Sequence, residues 1–95
     1  MKYFKNLKSQ GFNTENRTYI IAEIGINHGG DIDVAKKLIE SAVRTGADAV
    51  KFQTYLTEKR VPKDSPIYDV LKKCELSFSD FGELKKYAEK FNIDF

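Results

Sequence analysis

Two short apolar runs bracket one amphipathic stretch, and the links between them are only a few residues long. This arrangement leaves the chain little choice of topology. Tyr19–Gly25 (YIIAEIG) and Ala49–Thr54 (AVKFQT) have the length and the β-branched or aromatic content of strands. Between them Ile32, Ala35, Leu38, Ile39, Ala42 and Val43 recur at helical spacing, behind Asp31 as an N-cap and ahead of Gly46 as a left-handed terminator. The helix is expected to run from Asp31 to about Thr45. Its outer face offers Asp33–Lys37, Lys36–Glu40 and Glu40–Arg44 for i,i+4 ion pairs. Two strands joined through one helix by short connections make a right-handed βαβ unit with a parallel pair.

Alternation places Ile20, Ala22 and Ile24 on one face of the first strand and Ile21, Glu23 and Gly25 on the other. In the second strand Val50 and Phe52 oppose Lys51 and Gln53. With the helix covering the apolar sets, Glu23, Lys51 and Gln53 gather on the opposite face, near the carboxyl ends of adjacent strands. A carboxylate among apolar strand residues is costly to bury without a partner or a solvent-filled site. Two readings stand for the trio on these grounds. It is either an ion pair between neighbouring strands with Gln53 as an ordinary satisfied polar group, or the floor of an active site.

The turn Asn27-His28-Gly29-Gly30 joins the first strand to the helix. A lone histidine in a glycine-rich turn reads as structural, and His28 is not assigned as a metal ligand. GINHGGD lacks the spacing of a dinucleotide fingerprint, and a glycine pair before a helix is a weak phosphate signal. Beyond the second strand, Tyr55–Glu75 is a long charged connection. In it Ser65-Pro66 is expected to start a short helix at Pro66, with Ile67, Val70, Leu71 and Cys74 on its buried side. Leu76–Asn92 reads as another full helix. Ser77 and Asp80 form a variant capping box, Leu76 and Phe81 a hydrophobic staple, Phe81, Leu84, Ala88 and Phe91 the core stripe, and Asn92 the left-handed cap. Ile93-Asp94-Phe95 looks like a third strand beginning.

Composition narrows the function classes. The 95 residues make one domain at most, and residues 1–18 read as a separate polar segment or small hairpin ahead of a unit spanning 19–95. A net charge of +2, with sixteen basic residues spread among fourteen acidic ones, argues against nucleic acid or a membrane surface as partner. Cys74 is the single cysteine and cannot form an intramolecular disulfide; it is expected to be a small core residue. No run approaches a membrane span and the first residues lack the apolar core of a signal peptide, so a cytoplasmic location is expected.

IIAEIGINHGGD, then a helix, then TGADAVKFQTY, KKCELS and a final helix, resembles the N-terminal part of the sialic acid synthase (N-acetylneuraminate synthase) family over residues 20–95. AEIG-x-NH and AVKFQT at this separation carry the resemblance; Gly29 stands where the family often has Asn. The resemblance implies the N-terminal portion of a (β/α)8 TIM barrel, with two βα units and the start of a third strand. A whole barrel needs about 250 residues. It also implies a transferase that condenses phosphoenolpyruvate with an N-acylated amino sugar, N-acetylmannosamine or its 6-phosphate, to a nine-carbon sialic-type acid. A divalent metal (Mn2+ or Mg2+) polarises the sugar aldehyde in the family, held by histidines of later strands that this chain lacks, and full-length members are expected to be homodimers. On this pattern Glu23 and Lys51 are the catalytic residues, and Glu23, Lys51 and Gln53 bind substrate. Lys51 would meet the carboxylate or phosphate of phosphoenolpyruvate and Gln53 the sugar, while Glu23 would contact the sugar or position a water. The 95 residues are not expected to turn over alone. The alternative is a non-enzymatic small α/β module that binds a sugar or an anion, or completes a partner chain.

Overall fold

Asp31 marks the hinge between strand and helix. Its backbone is extended and its carboxylate accepts from the N–H groups of Asp33 and Val34, which are otherwise unpaired donors of the first turn. The computed structural model describes residues 18–95; apart from Thr18, the N-terminal segment expected at 1–18 lies outside the described residues. Strand β1 (Ile21–Gly25) leads through the turn to helix α1 (Ile32–Arg44), and β2 (Ala49–Phe52) follows. The two strands pair in parallel. Gly46, at φ +83, ends α1 in the left-handed conformation expected of it.

Asp94 makes a parallel bridge to Ala49, with Val50 N–H donating to the Asp94 carbonyl at 2.9 Å. The third strand therefore starts on the free edge of β2, and the spatial order follows the chain. Tyr19 reaches across this sheet to donate its hydroxyl to the Asp94 carboxylate.

The core lies between this sheet and two helices. Ile24 and Val50 from the strands meet Ala35, Ile39 and Ala42 from α1 and Leu84 and Ala88 from α4 (Phe78–Glu89). Ile20, expected on this face, is instead exposed at the entry to β1, because the strand proper starts one residue later. The three i,i+4 ion pairs expected along α1 are replaced by other partners. Lys36 pairs with Glu83 at 2.7 Å and Glu40 accepts from the Tyr87 hydroxyl at 2.6 Å, both on α4, while Arg44 donates to the hydroxyl of Ser41 on its own helix. Two of these three charged side chains thus turn to the neighbouring helix.

Helix α4 starts at the capping box read from the sequence. Ser77 Oγ accepts from Asp80 N–H and Asp80 Oδ2 accepts from Ser77 N–H, both at 3.1 Å. The staple residues Leu76 and Phe81 are both buried and Asn92 takes φ +57, but Phe91 is largely outside the core. Ser77→Ala removes one half of the box, and urea denaturation should register a loss of about 1 kcal/mol.

The connection after β2 folds on itself as α2 (Thr57–Arg60) and α3 (Tyr68–Cys74). Glu75 Oε1 accepts from both the N–H and the hydroxyl of Thr57, at 2.8 and 2.7 Å. These bonds hold the Glu75 carboxyl below its ordinary pKa. Lys72 bridges Glu58 and Glu75, and the Tyr55 hydroxyl donates to the Leu71 carbonyl at 2.6 Å. This hydrogen-bonded closure replaces the small apolar core expected here. Pro66 sits in a turn ahead of α3 rather than at its first position, Ile67 and Val70 are exposed, and Cys74 is only half-buried.

Candidate functional site

The site is set by one register pair. Glu23 lies opposite Lys51 across the parallel ladder, so both side chains leave the same face of the sheet. Lys51 Nζ stands 3.1 Å from Glu23 Oε2. The side chains are 65% and 53% exposed, so the buried charge suggested by the apolar strand is absent. The pair is open to water, where screening leaves an ion pair about 0–1 kcal/mol of stabilisation.

Immediately after Glu23 the ladder slips: Gly25, not Ile24, is opposite Phe52. The extra residue makes a bulge, and Gly25 takes φ +58. A Cβ there would lie 3.5 Å from Glu23 Oε1 and 3.8 Å from Gln53 Nε2. With no side chain at Gly25, the space between the carboxylate and the carboxamide stays open. Glu23, Lys51 and Gln53, expected together from alternation, are brought together at the carboxyl ends of the strands. The arrangement offers an ammonium for a carboxylate or phosphate, a carboxamide that both donates and accepts, and a carboxylate that accepts from hydroxyls or water.

The turn that follows is more tightly built than its composition suggests. Gly29 N–H donates to the Ile26 carbonyl, Asp31 N–H to the His28 carbonyl, and Gly30 N–H to His28 Nδ1 at 2.9 Å. These N–H groups are used internally, and the next ones face the Asp31 carboxylate, so the start of α1 presents no open anion cradle. Gly30 presses against the end of α3: a Cβ on it would fall 2.1 Å from the Lys73 carbonyl oxygen. This contact brings the connection after β2 against the β1–α1 turn, beside the site. Sequence reasoning set His28 aside as structural; it is 3% exposed with Nε2 unpaired, and its burial beside Phe52 is a tertiary fact that the turn composition does not carry.

The described residues do not suit the divalent metal implied by the resemblance. No three of their histidine, cysteine, aspartate and glutamate side chains come together. A shallow cleft lined by Val43, Asp48, Phe91 and Ile93 opens at the amino ends of the strands, away from the trio. No helix among the described residues is long and apolar enough to cross a membrane.

The sequence pattern of the NeuB family matches residues 38–95, more than half of the chain. The chain belongs to the NeuB family. Among curated relatives, an uncharacterised protein of Methanocaldococcus jannaschii is 54% identical over 78 residues, which take in 82% of this chain and 23% of that one. The N,N'-diacetyllegionaminic acid synthase of Legionella pneumophila is 42% identical over 91 residues, 81% of this chain and 26% of the relative. Among solved structures, the N-acetylneuraminic acid synthetase of Leptospira borgpetersenii superposes with a TM-score of 0.77 at 38% identity, covering 82% of this chain and 27% of that protein. The chain spans about a quarter of the length of these relatives. Its α/β fold with two parallel strands matches the N-terminal part of the TIM-barrel enzymes of the family.

Proposed function

We propose that the chain forms one wall of a sialic-type acid synthase site, where phosphoenolpyruvate condenses with an N-acylated amino sugar. The observation that carries this reading is the open cluster of Glu23, Lys51 and Gln53 at the carboxyl ends of parallel strands, the end of a barrel on which active sites are built. In the reaction the methylene carbon of phosphoenolpyruvate bonds to the sugar aldehyde carbon, water adds at the enol carbon, and inorganic phosphate leaves to give a 2-keto acid. Lys51 supplies the positive charge for the phosphoenolpyruvate anion. Gln53 hydrogen-bonds the sugar, and Glu23 accepts from a sugar hydroxyl or orients the water.

An ion pair this exposed contributes about 0–1 kcal/mol to stability, which gives it little part in holding the two strands together. The observed pair is solvent-facing and can exchange Glu23 for a ligand anion. Relatives at similar identity are named for different acids: the Legionella pneumophila protein at 42% for N,N'-diacetyllegionaminic acid and the human protein at 40% for N-acetylneuraminate 9-phosphate. The shared stretch therefore supports the part of the chemistry common to all, and the choice of sugar belongs to other parts of such enzymes.

The test is a titration of the 15N-labelled chain with phosphoenolpyruvate, followed by nuclear magnetic resonance. Perturbation centred on Glu23, Lys51 and Gln53 is expected. No change at Lys51 with millimolar ligand would overturn the assignment. A companion assay with N-acetylmannosamine and manganese added should show no phosphate release by these 95 residues alone.

A further inference from the structure

His28 is the single histidine of the chain, and the substrate-binding reading gives it no part. It is nevertheless 3% exposed, and with Thr57 it makes up the buried polar residues among those described. Nδ1 accepts from Gly30 N–H at 2.9 Å, which requires a lone pair there and leaves the ring proton on Nε2. Nε2 is fully buried without a hydrogen bond of its own. The imidazole lies 5.9 Å from the Phe52 ring, which in turn packs on Phe81 and Phe95. Phe52 is the register partner of Gly25 and the chain neighbour of Lys51 and Gln53.

We propose that His28 is a positioning residue: as a neutral ring it ties the Gly30 turn to Phe52 and keeps the Gly25 backbone where Glu23 and Gln53 close on it. The positioning role rests on the reading of Glu23, Lys51 and Gln53 as a substrate wall. Two properties are needed at once, and histidine joins them. Asparagine would supply an acceptor for the N–H two residues on, without the ring. Phenylalanine would supply the ring without the acceptor.

The arrangement depends on the ring staying neutral. A proton on Nδ1 would face the Gly30 N–H, two donors in one place, and the bond would be lost. Burial pushes the His28 pKa down from its ordinary value, with the Gly25 backbone opposing more weakly. The titratable and charged groups on the surrounding elements are Glu23 on β1 and Lys51 on β2, paired with each other, Asp31 capping α1, and Lys73 and Cys74 at the end of α3; none of them contributes to the shift. With the folded pKa below the unfolded one, the contribution of the neutral ring is complete above the unfolded pKa of about 6.5. It is lost as pH falls from there through the folded pKa.

Nuclear magnetic resonance of the 15N-labelled chain tests this directly, because the one imidazole needs no assignment. The expected result is a ring protonated on Nε2 that titrates below its ordinary value. The Gly25 and Gly30 amides and the Gln53 side-chain amide should move with the same midpoint. In His28→Asn the acceptor survives, so the Gly30 amide stays protected and the pH-dependent movement disappears; in His28→Phe that protection is lost. Phosphoenolpyruvate should bind about fivefold more weakly to the wild-type chain below the His28 midpoint than above it, relative to His28→Asn, which removes the titration of the ligand itself from the comparison. A midpoint at the ordinary value, or Gly25 and Gln53 signals that stay flat through it, overturns the proposal, and the wild-type titration decides this even if a variant fails to fold. If phosphoenolpyruvate binds at no pH while these signals move together, the substrate reading falls, and the hold of His28 on Gly25 stands without it.

Discussion

Replacing Gly30 with alanine is expected to cost about 3 kcal/mol or more, a large share of the 5–15 kcal/mol that holds a domain of this kind together. Two penalties act together. The residue sits at φ +84, where a side chain costs about 1–2 kcal/mol. The new Cβ would also meet the Lys73 carbonyl oxygen at 2.1 Å and its carbon at 3.2 Å. Neither atom belongs to a flexible side chain, so α3 or the turn has to move, and overpacking of this sort costs a further 1–3 kcal/mol or so. Gly29 is the internal control. It has φ +64, and a Cβ added there would find nothing within 4 Å, so Gly29→Ala should lose only the conformational part and Gly29→Asn less still, because asparagine tolerates the left-handed region. Urea midpoints for the three variants, at an unchanged denaturant slope, provide the measurement. Equal losses at Gly29 and Gly30 would mean that the approach of α3 to the turn does not constrain the fold.

The same turn shows where sequence reasoning reaches and where it stops. The βαβ unit, the caps at Asp31 and Gly46 and the box at Ser77–Asp80 were legible because each depends on residues close together in the chain. The facing of Glu23, Lys51 and Gln53 was legible because side chains alternate along a strand. The bulge at Gly25, the approach of Gly30 to Lys73 and the burial of His28 depend on distant segments, and local pattern has no access to them. Ile67 and Val70 misled for a related reason. Their helical spacing promised a buried side, but Glu75, Lys72 and Tyr55 close that connection with hydrogen bonds and leave both side chains in water. Exposure of the Glu23–Lys51 pair was likewise unreadable, since it depends on what covers the strand face.

Lys51→Met should lower the affinity for phosphoenolpyruvate by about 10- to 100-fold, the effect of losing a charged hydrogen bond of about 1.5–3 kcal/mol. The thermal midpoint should barely move, because an exposed ion pair contributes about 0–1 kcal/mol. Glu23→Gln should act in the opposite direction on the same ligand. It removes a carboxylate 3.1 Å from the Lys51 ammonium, so the ammonium no longer has to leave a partner to bind the anion, and the repulsion between Glu23 and the ligand disappears. Affinity for phosphoenolpyruvate should rise, by up to about fivefold, while any contact of Glu23 with the sugar is lost. Opposite signs at two residues of one ion pair are the discriminating result. A pair that served only to hold β1 to β2 would lose the same interaction whichever partner was replaced, with matching small changes in stability and none in binding. The double variant completes the cycle. If Lys51 is the anion ligand, Glu23→Gln has nothing to release once Lys51 is methionine, and the gain from the first substitution should vanish in the presence of the second.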